Sequence, residues 1–346
     1  MLNIRFTYFV QTGADICGFN GISSPDLCRR WYQLGAFYPI SRVSSNIEKD
    51  PGWWAENGHP EVTKAAVESL RLRYQFLHYF YTCLYRSHAY GETFARPMHH
   101  VFLDDEKSRK IDSQFFLGSS ILITPFLEPE QTHLPVYLPD SEPNWYKLKN
   151  NFVEKVDSVL NHYRLEDYDS SHPIFLRGGS ILPVISVTDL PEPLNIRNVS
   201  KAPISLWILP NFEGSAYGEM FYDDGVGINN IENSQYSVIG FTLKKCVINI
   251  FNERNYKNPS NAPPETWAIK QIYIALDPHM LADIHPDNIG FSSNTGSSKN
   301  WKLNIVEKQF IHIQIPELLT RKNLEDVLIQ VTLFNKENNA NCFLDA

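Results

Sequence analysis

The chain has 346 residues, 43% hydrophobic and 20% charged, so it is long enough for two or three compact domains and too apolar for a disordered chain. Its formal net charge of -8 offers no basic surface for a phosphate backbone, which argues against nucleic acid as a partner. No apolar run reaches the roughly 18 residues that a membrane-spanning helix needs, so we expect no membrane segment.

The first hundred residues predict an alternation of strands and helices. Residues 6–10 form an apolar run that predicts a strand or the end of a helix. Residues 25–34 predict a helix with Ser24 as its N-cap, and residues 35–40 follow as a second strand-like apolar run. Residues 61–89 repeat apolar side chains at steps of three and four, which predicts one long helix. This order is typical of a parallel α/β sheet or barrel.

The pattern changes after residue 97, where short runs rich in β-branched and aromatic residues are separated by Pro, Gly, Asp and Asn. Such runs predict antiparallel β-sandwiches. The predicted strands are residues 120–126, 134–138, 173–176, 180–185, 204–209, 220–222, 236–243, 246–251, 268–276, 301–306 and 310–315. The Pro-containing segment 190–202 predicts a linker between two of the domains.

Six sequence segments carry a resemblance to a known family. They are GADICGF at 13–19, LCRRWYQLGAFYPISR at 27–42, AYGETFARP at 89–97, DSQFFLGSSILITP at 112–125, PIFLRGGSILP at 173–183 and FYDDG at 221–225. In this order they resemble the C-terminal part of the α-glucosidases of glycoside hydrolase family 31. The first two segments are similar to the region of strands 7 and 8 in the catalytic (β/α)8 barrel of that family.

The resemblance implies an α/β part followed by an all-β part. Residues 1–96 would be the C-terminal strands and helices of an incomplete barrel, residues 97–192 a proximal β-sandwich and residues 193–346 a distal one. A complete barrel takes about 250 residues, so we expect the N-terminal portion of the barrel to be missing from this chain and to act as its partner.

The family hydrolyses terminal α-linked glucose with retention, using one aspartate as nucleophile and a second as acid/base. Both lie before the GADICGF-like segment in the family, so we expect them upstream of Met1 and predict no catalytic residue in this chain. The expected ligand is a maltose-type α-glucoside oligosaccharide, and no cofactor or metal is expected. Alternatives are a noncatalytic carbohydrate-binding or partner-binding fragment, an incomplete gene model and a decayed relative.

Four residues are implied to bind substrate. The residues alone favour a turn or cap role for Asp15 and a core role for Phe19, whereas the resemblance places both in the glucose pocket. Arg42 precedes the positions at which the family has Asn and a sugar-binding His, and here Ser44 occupies the His position. Because serine is shorter than histidine, we expect weaker sugar binding.

Cys17 and Cys28 are close enough in sequence to close a small loop, although both could also be buried thiols. The resemblance implies a disulfide between them. A disulfide indicates folding in the secretory pathway, since cytosolic thiols stay reduced. The sequon that begins at Asn198 is weakly consistent with that compartment.

The sequence contains two further groups that could suggest chemistry. Asp223 and Asp224 are adjacent, but strand neighbours point to opposite faces and Gly225 predicts a hairpin turn, so we favour a structural role for both. His99 and His100 have no other residue at ligand spacing around them, so we predict no metal site there.

Overall fold

The structure is a computed structural model that describes residues 12–46, 51–139, 144–149, 152–156, 162–166, 173–244, 247–254, 268–275, 284–292, 302–306, 310–320 and 330–335. The chain divides into two compact units. The first unit is Met1–Tyr74 with Cys83–Arg177, and the second is Gln75–Thr82 with Gly178–Ala346. The predicted element at residues 6–10 lies outside the described residues. The division into domains at residues 96 and 192 remains a prediction.

The helices of the described residues are α1 Pro25–Gly35, α2 Pro51–Glu56, α3 Pro60–Gln75, α4 Leu77–Tyr90, α5 Met98–Val101 and α6 Ile196–Val199. The start of α1 is as predicted, because the Ser24 hydroxyl accepts a hydrogen bond from the Leu27 backbone N–H at 3.2 Å. Pro25 adds a fixed φ at the first helical position. Asn195 caps α6, so the predicted linker 190–202 contains a helical turn.

The strand predicted at residues 35–40 is wrong. Residues 36–40 form turns after α1, and the Arg73 guanidinium donates hydrogen bonds to their carbonyl oxygens, at 2.6 Å to Ala36, 2.7 Å to Tyr38 and 3.3 Å to Pro39. A side chain therefore satisfies carbonyl groups that a strand would pair with a neighbouring strand.

The single helix predicted over residues 61–89 is also wrong, since α3 ends at Gln75 and α4 begins at Leu77. The Gln75 carbonyl oxygen accepts a hydrogen bond from the Ile185 backbone N–H at 2.9 Å. The buried Phe76 ring packs edge-on against Trp207, with the ring centroids 5.9 Å apart. The break is thus set by contacts within the second unit, which the helical periodicity does not reveal.

Each strand predicted after residue 97 overlaps one that the structure contains. The strands are β1 Ala95–Pro97, β2 Phe115–Leu117, β3 Ile121–Ile123, β4 His133–Tyr137, β5 Trp145–Lys149, β6 Phe152–Val156, β7 His162–Glu166, β8 Ile174–Arg177, β9 Ser180–Val184, β10 Ile204–Leu209, β11 Ala216–Tyr222, β12 Ser237–Lys244, β13 Val247–Arg254, β14 Ala268–Ala275, β15 Ile284–Ser292, β16 Lys302–Val306, β17 Phe310–Thr320 and β18 Gln330–Asn335. Strands β1, β2, β5, β6, β7, β15 and β18 were not predicted.

In the first unit a six-stranded antiparallel sheet has the order β1-β2-β3-β8-β5-β6, and β4 pairs with β7 in a separate two-stranded sheet. Its core is aromatic. The fully buried rings of Phe116 and Trp145 lie 6.2 Å apart, and Phe102 packs against both. Phe116 and Trp145 lie on β2 and β5, whereas Phe102 directly follows α5, so strands and a helix end both contribute to this core.

In the second unit a ten-stranded sheet has the order β15-β18-β13-β12-β11-β9-β10-β14-β17-β16. It is antiparallel except where β10 pairs with β14 and β11 with β9. Its buried apolar layer includes Leu206 and Ile208 on β10 and Ile274 on β14. The Thr82 hydroxyl accepts a hydrogen bond from the Phe221 backbone N–H at 2.9 Å, which ties α4 to β11.

His78 on α4 makes the stability of the second unit dependent on pH. Burial lowers the pKa of its imidazole from 6.5 to about 4. Between these values the unfolded state binds the proton and the folded state does not, so stability is full above pH 6.5 and falls as the pH falls. In the wild type we expect this effect to lower the free energy of unfolding by on the order of 3 kcal/mol between pH 7 and pH 4. The variant His78→Leu should lack this decrease, as measured by denaturant unfolding at both pH values.

The control for this prediction is His88→Leu, which changes an exposed histidine on the same helix. It should leave the pH profile of the wild-type protein intact. Identical profiles for His78→Leu and the wild type would contradict the prediction.

Candidate functional site

Two short segments run parallel at the start of the described chain, and together they form the strand-end pair, residues 12–16 and 40–42. Asp15 and Arg42 form a parallel β-bridge, and the Ile16 N–H donates to the Arg42 carbonyl oxygen at 3.0 Å. A Cβ added at Gly13 would lie 1.8 Å from the Ile40 carbonyl oxygen, so only glycine fits there. The pairing places the side chains of Asp15 and Arg42 next to each other.

Asp15 and Arg42 form an ion pair, with 2.8 Å between Asp15 Oδ1 and Arg42 Nε. The Arg42 side chain is 60% exposed and that of Asp15 20%, so the pair adds little stability. Within the described chain, the other Asp15 oxygen and the remaining Arg42 N–H groups make no hydrogen bond. The pair therefore presents both an acceptor and donors that suit ligand hydroxyl groups.

The segment that follows Asp15 is a tight loop, residues 17–21, which we call the pocket loop. Cys17 has φ 66° and Gly18 has φ 82°, and the Gly18 N–H donates to the Asp15 carbonyl oxygen at 3.0 Å. The Phe19 side chain is 48% exposed. Phe19 is therefore not a core residue, and its ring is available to contact a ligand.

A disulfide joins Cys17 to Cys28, as predicted, with the two Cα atoms 4.7 Å apart. Both residues are buried, and they pack with Ile16, Tyr32 and the Trp54 ring. The bond ties the base of the pocket loop to α1.

Helix α1 also approaches the strand-end pair closely. A Cβ at Gly35, the last residue of α1, would lie 2.4 Å from the Ile16 side chain. The absence of a side chain at this position therefore lets Ile16 pack against the end of the helix.

A second loop, residues 43–46, follows Arg42 and contacts the pocket loop. The Phe19 carbonyl oxygen accepts hydrogen bonds from the Asn46 N–H at 3.0 Å and the Ser45 hydroxyl at 3.2 Å. The Asn46 side-chain amide donates to Asn20 Oδ1 at 3.3 Å. Ser44 is half-buried beside these contacts. Sequence reasoning missed Ser45 and Asn46, for which the only signal is a short polar run.

The Asp223–Asp224 pair differs from its prediction in local structure. Strand β11 ends at Tyr222, so neither aspartate lies in a strand, and a loop rather than a tight hairpin leads to β12. Both carboxylates accept from the Asn230 amide, at 3.1 and 2.7 Å. Hydrogen bonds from the Gly227 and Val226 backbone N–H groups lower the pKa of Asp224. The two aspartates therefore stabilise the conformation of this loop.

The described ranges contain no group of three or more His, Cys, Asp or Glu side chains that could hold a metal ion. His99 and His100 contact each other edge-on, with the ring centroids 4.8 Å apart. In the part of the chain that the structure describes, none of the helices has the length and apolar character needed to cross a membrane.

Comparison with family models gives two matches. The family 31 glycosyl hydrolase TIM-barrel domain matches residues 1–83, and the family 31 glycosyl hydrolase C-terminal domain matches residues 91–182. With the sheets described above, these matches confirm the predicted fold class, the end of a barrel followed by β-sandwich structure. The strand-end pair and the pocket loop both lie within the segment that matches the barrel model.

Longer relatives show the same similarity. The chain is 34% identical over 247 residues to an α-glucosidase of Hordeum vulgare, covering 70% of this chain and 27% of that protein. It is 33% identical over 258 residues to intestinal sucrase-isomaltase of Homo sapiens, covering 72% of this chain and 13% of that protein. It is 32% identical over 255 residues to lysosomal α-glucosidase of Mus musculus, covering 68% of this chain and 26% of that protein. The chain thus spans about a quarter or less of each relative.

A solved structure of the glucosidase II alpha subunit, bound to Tris, superposes with a TM-score of 0.79 at 22% sequence identity. The superposition covers 96% of this chain and 35% of the other. At this level of identity the likeness concerns the fold.

The Cys17–Cys28 bond gives a chemical prediction. Both cysteines fall in one tryptic peptide, residues 6–29, which should be two hydrogen atoms lighter without reduction and should resist alkylation until it is reduced. Replacing both cysteines by alanine should lower stability by about 3 kcal/mol, because the bond joins residues 11 positions apart. Mass spectrometry and denaturant unfolding measure the two effects. Full alkylation of that peptide without reductant would contradict the bond.

Proposed function

Because this chain belongs to glycoside hydrolase family 31, we propose that it supplies one wall of the glucose-binding subsite of an α-glucosidase. The substrate class is a maltose-type oligosaccharide with a terminal α-linked glucose. In this proposal Asp15, Phe19, Arg42 and Ser44 form the wall. The cleavage itself requires groups that these four residues do not provide.

The observation that carries the proposal is the Asp15–Arg42 ion pair at the end of two adjacent parallel segments. Barrel enzymes place their functional side chains at the C-terminal ends of the strands. Within the described residues, this charged pair has donors and an acceptor that make no hydrogen bond, which suits the hydroxyl groups of a sugar. The exposed ring of Phe19 adds an apolar surface for the ring carbons of the same sugar.

Retaining hydrolysis needs two carboxyl groups about 5 Å apart, one to attack the anomeric carbon and one to protonate the leaving oxygen. The charged partner of Asp15 is an arginine, which suits a carboxylate that binds substrate. We therefore assign no catalytic residue among the four. The nucleophile and the acid/base are proposed to come from other strands of the barrel, so the chain is not expected to turn over substrate alone.

Ser44 distinguishes this subsite from the expected family pattern. Its hydroxyl reaches less far than the imidazole that the resemblance implies at this position, so one contact with a sugar hydroxyl is lost. A hydrogen bond of this kind contributes about 0.5–1.5 kcal/mol, so the proposed subsite binds glucose several-fold more weakly than one with a histidine.

The compartment proposed for the protein is the secretory pathway. The support is the Cys17–Cys28 disulfide, a bond that persists in oxidising compartments, together with a relative named for the lysosome. The proposed glycosylation site, Asn198, lies in α6, and its side-chain nitrogen donates to the Pro193 carbonyl oxygen at 3.0 Å.

The binding proposal is tested by titrating glucose into the purified chain, with saturation-transfer NMR as the readout. Asp15→Ala should weaken binding about tenfold or more, because hydrogen bonds to charged groups contribute about 1.5–3 kcal/mol. Ser44→His should strengthen it several-fold. The matched control is Asp104→Ala, which removes an exposed carboxylate from another loop and should leave binding unchanged.

Equal glucose binding by Asp15→Ala and the wild type would overturn the assignment of the wall. A chromogenic α-glucoside serves as a second readout for the same variants. If the wild-type chain hydrolyses this substrate and Asp15→Ala does not, the chain contains catalytic carboxyl groups, and our assignment of none is wrong. Glucose binding without turnover is the expected result.

The secretory proposal has its own test. Expressed in a cell that attaches N-glycans, the protein should migrate faster on a gel after treatment with an endoglycosidase, and Asn198→Gln should remove that shift. Asn195→Gln is a control that changes a neighbouring asparagine outside the sequon. Equal migration of the treated and untreated wild-type proteins would count against modification at Asn198.

A further inference from the structure

The pocket loop is held differently at its base and at its tip. At the base, the disulfide fixes Cys17 to α1 and the Gly18 N–H bonds to the Asp15 carbonyl oxygen. At the tip, the hydrogen bonds made by Phe19 and Asn20 within the described residues are those with the second loop, residues 43–46. The tip therefore depends on the second loop for its position.

Three hydrogen bonds converge on the tip. The Phe19 carbonyl oxygen has two lone pairs, and the Asn46 N–H and the Ser45 hydroxyl occupy both. The Asn46 amide adds the bond to Asn20. Two of the three bonds come from side chains, so two substitutions remove them while the backbone bond of Asn46 remains.

The backbone of the pocket loop does not fix the tip by itself. Gly18 and Gly21 both have positive φ, at 82° and 66°, and glycine adopts many conformations at similar energy. The Phe19 ring is about half exposed, so core packing does not anchor it. Because the base is covalently fixed and the tip is not, the hydrogen bonds from the second loop are the restraint on Phe19 and Asn20 that the described residues show.

We propose that Ser45 and Asn46 are positioning residues, which hold the Phe19 ring where it forms the wall of the sugar subsite. They set the affinity for glucose by restricting the tip of the pocket loop and without contacting the sugar. This inference rests on the proposed function in its assignment of Phe19 to the wall. The restriction of the loop itself is independent of any ligand.

The test compares the wild type with the double variant Ser45→Ala/Asn46→Ala. Hydrogen–deuterium exchange of a peptide covering position 46, whose backbone N–H donates to the Phe19 carbonyl oxygen, reports the restriction of the tip, and a glucose titration reports the subsite. We expect exchange to be about five- to tenfold faster and the Kd for glucose to rise about three- to tenfold, the effect of losing two partly solvated hydrogen bonds. The melting temperature should change little, because neither side chain is buried.

Two further variants serve as controls. Ser45→Thr keeps the hydroxyl group and should retain wild-type exchange and binding. Asn57→Ala removes another exposed asparagine, whose side chain donates to the Trp53 carbonyl oxygen at 2.8 Å, and should change neither readout.

Each departure from these results has a distinct meaning. Unchanged exchange in the double variant overturns the inference, and so does faster exchange with an unchanged Kd. A higher Kd with unchanged exchange would mean that Ser45 or Asn46 contacts the sugar directly, which also overturns it. If the wild-type chain binds no glucose, the proposed function fails, and exchange alone then decides whether the two residues hold the loop.

Discussion

Residues 12–16 and 40–42 approach each other so closely that position 13 has no room for a side chain. This close parallel contact determines the arrangement of the candidate site. It sets Asp15 beside Arg42, directs the chain after Asp15 into the pocket loop, and brings the loop after Arg42 alongside it. Gly13 therefore contributes to the site by allowing the two backbones to pair.

The contact is maintained by groups that are far apart in the sequence. On one side, the disulfide joins the pocket loop to α1. On the other, Arg73 on α3 binds the carbonyl oxygens of the turn that leads from α1 to Arg42. Both ends of the α1 connection are therefore fixed, one by a covalent bond and one by a side chain. A rigid frame around short loops is the arrangement that precise ligand binding requires.

Local chemistry made part of this structure predictable. The Ser24 cap and Pro25 define the start of α1, and short apolar runs such as β10 identify strands in the apolar layer of a sheet. The break at Phe76 was not predictable, because it depends on a bond from the distant Ile185. Strands β5 to β7 lie in sequence rich in Lys, Glu and Asn, which hides their period.

The candidate site also has residues that the sequence indicated and residues that it did not. The resemblance predicted the Cys17–Cys28 bond, which the structure contains, and it also proposed Asp15 and Phe19 as wall residues, because all of them stand in a recognisable segment. Ser45 and Asn46 escaped notice because they share a backbone carbonyl group as their partner, and a short polar run in the sequence does not reveal such a contact.

The loop between β11 and β12 is hydrogen-bonded at its base and carries exposed apolar side chains beyond it. Asp223, Asp224 and Asn230 hold its base, whereas Val226 and Ile228 are 84% and 95% exposed. Positions 226 and 228 are therefore natural attachment points for a fluorophore or a surface tether, which would report on the second unit without disturbing the hydrogen bonds that shape it.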